Sequence, residues 1–198
     1  MTDSSSVIPL FPLHTVLFPG GPLPLRIFEI RYTDMVRRCM REQLPFGVLL
    51  IQDGDEAGEV ATTATVGCTA RIADFHTLHD GLLGISCVGE RRFRVQRVWR
   101  AGDGLNMGEI SWLPDVPELP LPADYAHLAD TVRRAIGDLA EHYEHVEKKF
   151  EDAAWIGARL AELLPIELND KQALLELDDP IERLEALLTV VPGRESPE

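Results

Sequence analysis

Lysine is nearly missing. Lys148, Lys149 and Lys171 are its only occurrences in 198 residues, and none follows a glycine. A phosphate-cradling loop of the form GxxxxGK[ST] is thereby excluded. The N-terminal MTDSSSVIPLFPLHTV has no basic start ahead of a long apolar run, and apolar runs elsewhere extend only a few residues, as at 48–51. Neither a signal peptide nor a membrane-spanning helix is expected, and the reading is cytoplasmic. Cysteine is limited to Cys39, Cys68 and Cys87, an odd number without CxxC spacing. Buried free thiols fit that count. Positive charge is short as well: 19 basic against 33 acidic side chains give −14, which sets the whole chain against phosphate backbones.

What is present divides at a proline-rich stretch, LPDVPELPLP (113–122). Prolines at four of those ten positions forbid a continuous helix or central strand, so the stretch is an extended connector. Two units follow, 1–117 with a net charge of −3 and 118–198 with −11. The first unit is punctuated by Gly and Pro between β-like runs at 46–53, 66–75, 82–90, 91–100 and 107–113. Asp80-Gly81 and the Gly-rich 101–106 mark hairpin turns. Phe93 and Val95 share a parity that Val98 breaks, which predicts a bulge near Gln96 or Arg97. Pro9, Pro12, Pro19, Pro22 and Pro24 require the opening strands to lie at sheet edges or to bend. One helix is inserted at 30–43, with Tyr32, Met35, Val36, Cys39 and Met40 on its apolar stripe.

Past the connector the period becomes helical. Residues 125, 128, 132, 135, 139, 143, 146 and 150 predict one long amphipathic helix from 124 to about 151. A second helix, 153–164, stops at Pro165. A third starts at Asn169, where Asn169 and Gln172 form a capping box. The fourth has Asp179 as N-cap, Pro180 at its first position and Glu182 completing Asp-x-x-Glu; it buries Ile181, Leu184, Leu187, Leu188 and Val191. Short connections between them predict a four-helix bundle.

In order along the chain, IPLFPLHTVLFPGGPLPLRIFEIRYTDMV (8–36), VGCTARI (66–72), DGLLGISCVGERRFRV (80–95) and LPIELNDKQALLELDDPIERLEALL (164–188) resemble the Lon amino-terminal, substrate-binding domain family. The resemblance covers about 190 positions. It implies an α+β fold, a six-stranded pseudo-barrel of PUA-like shape followed by a helical bundle, in agreement with the strand-then-helix order read from the periods. It also implies a standalone member: neither Walker A nor Ser-Lys dyad accompanies the match, which excludes Lon-type ATPase and peptidase activity for this polypeptide.

Local chemistry gives little else. The Asp-rich 53–59 fails the EF-hand pattern, because Ala57 and Ala64 fall where oxygen ligands are needed. His142 and His145 are the most metal-like pair, yet their spacing matches neither HExxH nor HxxEH. His76 and His79 flank a turn. Gly102-Asp103-Gly104 lacks the third glycine of a dinucleotide loop. Ser86 and Ser111 lie in strands outside any nucleophile elbow. No catalytic residue, metal or cofactor is assigned.

Two groups carry a binding reading. Phe28, Glu29, Arg31 and Tyr32 open the first helix; their bland role is packing and pairing, and their functional one is contact with an unfolded peptide. Arg91, Arg92, Arg94, Arg97 and Arg100 are the one basic concentration. They either pair with acids of the same chain or meet an acidic partner or RNA, as the related PUA fold does. The resulting expectation is a non-enzymatic protein- or peptide-binding module, an adaptor in protein quality control, with a monomer or weak dimer as its state. The alternatives are an RNA- or nucleotide-related binder and, resting only on His142 and His145, a metal-dependent hydrolase.

Overall fold

The computed structural model describes residues 5–54 and 62–190. In chain order the elements are β1 (Ser6–Leu13), β2 (Pro22–Ile27), α1 (Ile30–Glu42), β3 (Phe46–Asp53), β4 (Thr62–Thr63), β5 (Val66–Thr77), β6 (Leu83–Arg100) and β7 (Asn106–Trp112). A 3-10 turn (Ala123–Tyr125) then leads into α2 (Ala126–Asp138), α3 (Ala153–Leu163), α4 (Leu168–Glu176) and α5 (Pro180–Val190). The fold is α+β.

Strands β1, β7, β6, β5 and β3 pair in sequence, and β3 returns to β1, so five strands close a ring. All pairs are antiparallel except β1 with β3. The β1 strand holds Pro9 and Pro12 without being an edge. Its first half pairs only with β7 and its second only with β3, the two overlapping at Leu10. Each proline thus has one neighbour and one free side, which is the condition a missing N–H requires. Sequence punctuation near Gly89-Glu90 suggested two strands; β6 instead runs unbroken for 18 residues and changes partner, from β2 to β7. Its register shifts between Val95 and Arg97, at the expected bulge.

The ring is narrow. Ile8, Leu10, Leu49, Phe93 and Ile110 fill it, and glycines take the remaining inward space. A Cβ on Gly67 would stand 2.2 Å from the Val48 carbonyl oxygen and 2.9 Å from the Phe93 ring. Two coats cover the outside. α1 packs Tyr32, Met35, Val36 and Cys39 against Phe46, Val48, Ile85 and Cys87, whereas α2–α5 pack against Phe18, Leu50, Val66 and Val88. Strand β3 is therefore buried on both faces from Phe46 to Ile51, which accounts for its unbroken apolar run. Cys39, Cys68 and Cys87 are free and buried.

The helical half departs from expectation in three places. No long helix reaches residue 151: α2 ends at Asp138. Gly137 weakens the helix there, and Asp138 sets a negative charge at its negative end. The chain continues in three-residue turns, with the amides of His142, Tyr143 and Val146 bonded to carbonyls three positions back. Those turns still bury Tyr143 and Val146, so the apolar spacing was real and its helical reading was wrong. The Asn169 capping box is not made either. α4 begins one residue earlier, after Glu167, and the Gln172 amide is buried, donating to the Val66 carbonyl of β5 at 3.0 Å. Third, Leu188 and, on α1, Met40 are exposed. The Asp179 cap is present, its carboxylate taking the amides of Ile181 and Glu182. The acidic loop at 55–59, Val191 and the tail at 192–198 lie outside the described residues. Among the described residues, no helix is long and apolar enough to cross a membrane.

Replacing Gly67 by alanine is expected to lower stability by about 1–3 kcal/mol, since neither the Val48 backbone nor the Phe93 ring can yield inside the closed ring. Urea denaturation of Gly67→Ala against the parent checks it; an unchanged midpoint would contradict the packing described.

Candidate functional site

Strand β2 is bonded to β6 on one side only. Pro22 and Pro24 alternate along it, the placement an edge-strand proline takes when its nitrogen faces away from the partner. A strand laid along that edge would find no N–H at either position. Leu23, Leu25 and Ile27 take the other parity, and with Phe11, Leu13 and Phe28 they line an apolar groove of about 430 Å3. Pro24, Leu25 and Arg26 also border a second groove beside Leu78, His79 and Ile85, so β2 is the ridge between two grooves. An Arg26–Asp80 ion pair closes the far end.

The segment joining β2 to α1 divides sharply in role. Glu29 is the residue before α1, and its carboxylate takes Arg31 Nε at 2.8 Å rather than capping the helix amides. Arg31 Nη1 donates to the Gly104 carbonyl in the β6–β7 turn, and its guanidinium lies 4.7 Å from the Tyr32 ring centroid. Tyr32 stacks on Phe11 at 3.8 Å and 14°. Three of the four residues thus lock α1 onto the end of the ring. Phe28 is 62% exposed beside them, and Ile30 is 80% exposed.

The two other candidate residues separate in the same way. Arg91 is exposed, its Nε on Asp115 at 3.3 Å and its guanidinium over Trp112. Arg92 is 3% exposed. Its Nη1 donates to the carbonyls of Leu175 and Leu177, and its Nη2 to the Pro114 carbonyl and to Asp178 at 2.6 Å. A guanidinium has five donors in a rigid fork, and four of them here tie β6 to the connector and the end of α4. Arg100 donates to Gly104 within its own hairpin. His142 and His145 lie in the turns after α2, and His145 is 3.9 Å from Asp74. Among the described residues, no group of three His, Cys, Asp or Glu side chains is placed to hold a metal.

The model of the ATP-dependent protease La (LON) substrate-binding domain matches residues 7–191. The chain belongs to that family. A crystal structure of a Lon N-terminal domain protein from Xanthomonas campestris superposes with a TM-score of 0.77 at 41% identity, covering 94% of this chain and 99% of that one. A Lon protease of Cytophaga hutchinsonii is 25% identical over 94% of this chain and 24% of its own length. The protein cereblon of Danio rerio is 32% identical over 57% of this chain and 27% of its own. The chain spans about a quarter of the length of these curated relatives.

In this Lon substrate-binding domain the opening Phe18-Pro19-Gly20-Gly21 has a physical explanation. Gly20 and Gly21 exchange backbone hydrogen bonds with Gly89 of β6, and Gly20 takes φ +69°, a conformation that favours glycine. Arg159 of α3, fully buried, donates to the Pro19 and Gly20 carbonyls and pairs with Glu162. Arg183 of α5 is also buried, donating to the carbonyls of Leu174 and Leu177. Sequence reasoning passed over both arginines. The available signal was the Arg159 and Glu162 pair, opposite charges three residues apart inside the otherwise apolar run AAWIGARLAEL.

Arg92→Ala is expected to lose more than about 2 kcal/mol, because buried carbonyls at the end of α4 are left unsatisfied. The neighbouring Arg91→Ala should change stability by less than about 1 kcal/mol, since its ion pair is exposed. Paired urea titrations separate the two, and equal effects would contradict the assignment.

Proposed function

We propose that this chain is a non-enzymatic module that binds protein or unfolded polypeptide segments at the β2–α1 groove, serving as an adaptor in protein quality control. The observation that carries the reading is the contrast within one short segment. Glu29, Arg31 and Tyr32 are committed to packing and pairing, while Phe28 and Ile30 are held in solvent on that rigid support beside an apolar groove. An exposed aromatic on a fixed base loses little conformational freedom when it is covered, which favours capture of apolar side chains. The prolines of β2 turn recognition away from strand addition and toward side chains seated in the groove. The name of the family's domain, substrate-binding, agrees with this reading.

The ring is read as PUA-like and the helices as a bundle gathered on α3. The RNA-binding alternative would need the arginines of β6: Arg91, Arg92 and Arg100 are engaged within the chain, whereas Arg94 and Arg97 are exposed, Arg97 lying over Trp99.

Fluorescence anisotropy with a labelled, reduced and carboxymethylated unfolded protein tests the proposal. Saturable binding is expected, weakened about tenfold or more in the Phe28→Ala/Ile30→Ala double variant with its melting temperature retained. No binding by the parent, or equal binding by the double variant, overturns it. A single-stranded RNA oligonucleotide measured at two salt concentrations serves the alternative, whose phosphate contacts would strengthen as salt falls.

A further inference from the structure

Strand β2 guards its open edge with Pro22 and Pro24; β5 has an open edge without that guard. The first residues of β5 pair with β3 as far as Ala70. From Arg71 to Thr77 its strand partner among the described residues is β6 alone, and the strand contains no proline. Asp74, Phe75, His76 and Thr77 are all exposed, Phe75 to 56%. This end of β5 is therefore bare on both faces as well as along one edge, the condition under which a strand serves as template for another.

Hydrogen-bond alternation fixes which groups face the open side. In an antiparallel pair, residues bonded across the ladder alternate with residues whose N–H and C=O point away from it. The Leu78 amide donates to the Leu82 carbonyl across the hairpin turn. Counting back, His76 opposite Gly84 and Asp74 opposite Ser86 face β6, whereas Phe75 and Thr77, opposite Ile85 and Leu83, turn their backbone groups outward. The Phe75 amide is accordingly held by a side chain, Asp74 Oδ1 accepting it at 2.8 Å.

We propose that β5 pairs antiparallel with β5 of a second copy of this chain, about a two-fold axis at Phe75, so that the two sheets become one. The occupant is a second copy because the segment is complementary to itself. With Phe75 opposite its counterpart, the outward N–H and C=O groups of the two Phe75 residues bond each other and the two exposed rings share a face. Asp74 then stands opposite His76 of the second copy, twice by symmetry. The Phe75 amide exchanges the Asp74 carboxylate for a carbonyl, which releases that carboxylate to the imidazole. The His76 ring lies over Gly84 in the single chain and, being exposed, turns readily. The other ion-pair partner of Asp74 among the described residues is His145, at 3.9 Å. Neighbouring registers are disfavoured: centring on Asp74 sets two carboxylates face to face, centring on His76 sets two imidazoles, and centring on Thr77 drives the pairing into the turn at 78–82. The contact is short, so the dimer is weak and concentration-dependent. It uses no residue of the β2–α1 groove and stands independently of the polypeptide-binding reading.

Sedimentation velocity of the full chain from about 1 to about 300 μM tests the proposal. A reversible shift from monomer toward dimer is expected across that range. Phe75→Asp, which sets two carboxylates at the centre of the pairing, should weaken association about tenfold or more. His76→Asp should weaken it likewise by facing Asp74, and the exchange Asp74→His/His76→Asp should recover it. Hydrogen exchange on the parent chain needs no variant: the Phe75 and Thr77 amides should slow as concentration rises, and the Arg26 amide on the β2 edge should not. A chain that stays monomeric to about 300 μM overturns the proposal, as does a dimer that Phe75→Asp leaves unchanged. A dimer lost only in Phe28→Ala/Ile30→Ala places self-association in the groove and overturns it too. If Phe75→Asp fails to fold, exchange decides, and Phe75 and Thr77 amides indifferent to concentration refute the pairing.

Discussion

Capture of backbone carbonyls by buried guanidiniums ties the helical half to the strands and its helices to one another. Arg159 takes the carbonyls of Pro19 and Gly20, Arg92 those of Pro114, Leu175 and Leu177, and Arg183 those of Leu174 and Leu177. These carbonyls lie in a tight loop, a proline connector and the last turn of a short helix. None has a ladder to satisfy it, and all would be costly to bury alone. Arginine suits the task because it is always charged, rigid, and rich in donors. The apolar contacts between ring and helices add the larger share of burial, but they are not directional. The guanidiniums decide where α3, α4 and α5 sit upon the strands.

That arrangement explains how so short a chain can leave apolar surface exposed. The ring is closed, its interior filled by a few large side chains and relieved by glycines, and both of its flanks are covered. Rigidity comes from closure and from the seam, so the β2–α1 corner can hold Phe28 and Ile30 in solvent without local collapse. The same seam sets buried arginines against carboxylates, Arg159 against Glu162 and Arg92 against Asp178.

Much of the architecture was legible from the residues. Alternation and turn residues located the strands, the Gln96–Arg97 bulge and both hairpin turns; the cap at Asp179 and the stop before Pro165 bounded helices. The misreadings share a cause. Period alone cannot tell a continuous helix from successive three-residue turns when both face the same core, and that is how the stretch after Asp138 was misjudged. Gln172 has the spacing of a capping box because local pattern shows only nearby partners, whereas its actual acceptor, the Val66 carbonyl, is distant in sequence. In the candidate site, the importance of Phe28, Glu29, Arg31 and Tyr32 was visible, but their division of labour was not.

The family was visible as a resemblance of motif blocks along the chain; local pattern and composition were enough to specify the β-then-α order, the excess of acid in the second half and the absence of a phosphate loop, because each is a property of neighbouring residues or of their sum. Three-dimensional packing alone decided which arginines are solvent partners and which are structural, and which aromatics are left uncovered. Those outcomes depend on contacts across 80 residues or more of chain, as between Arg92 and Asp178. Adjacent residues such as Arg91 and Arg92 are chemically identical in the sequence; in a strand they point to opposite faces, and the face determines whether the charge meets water or the core.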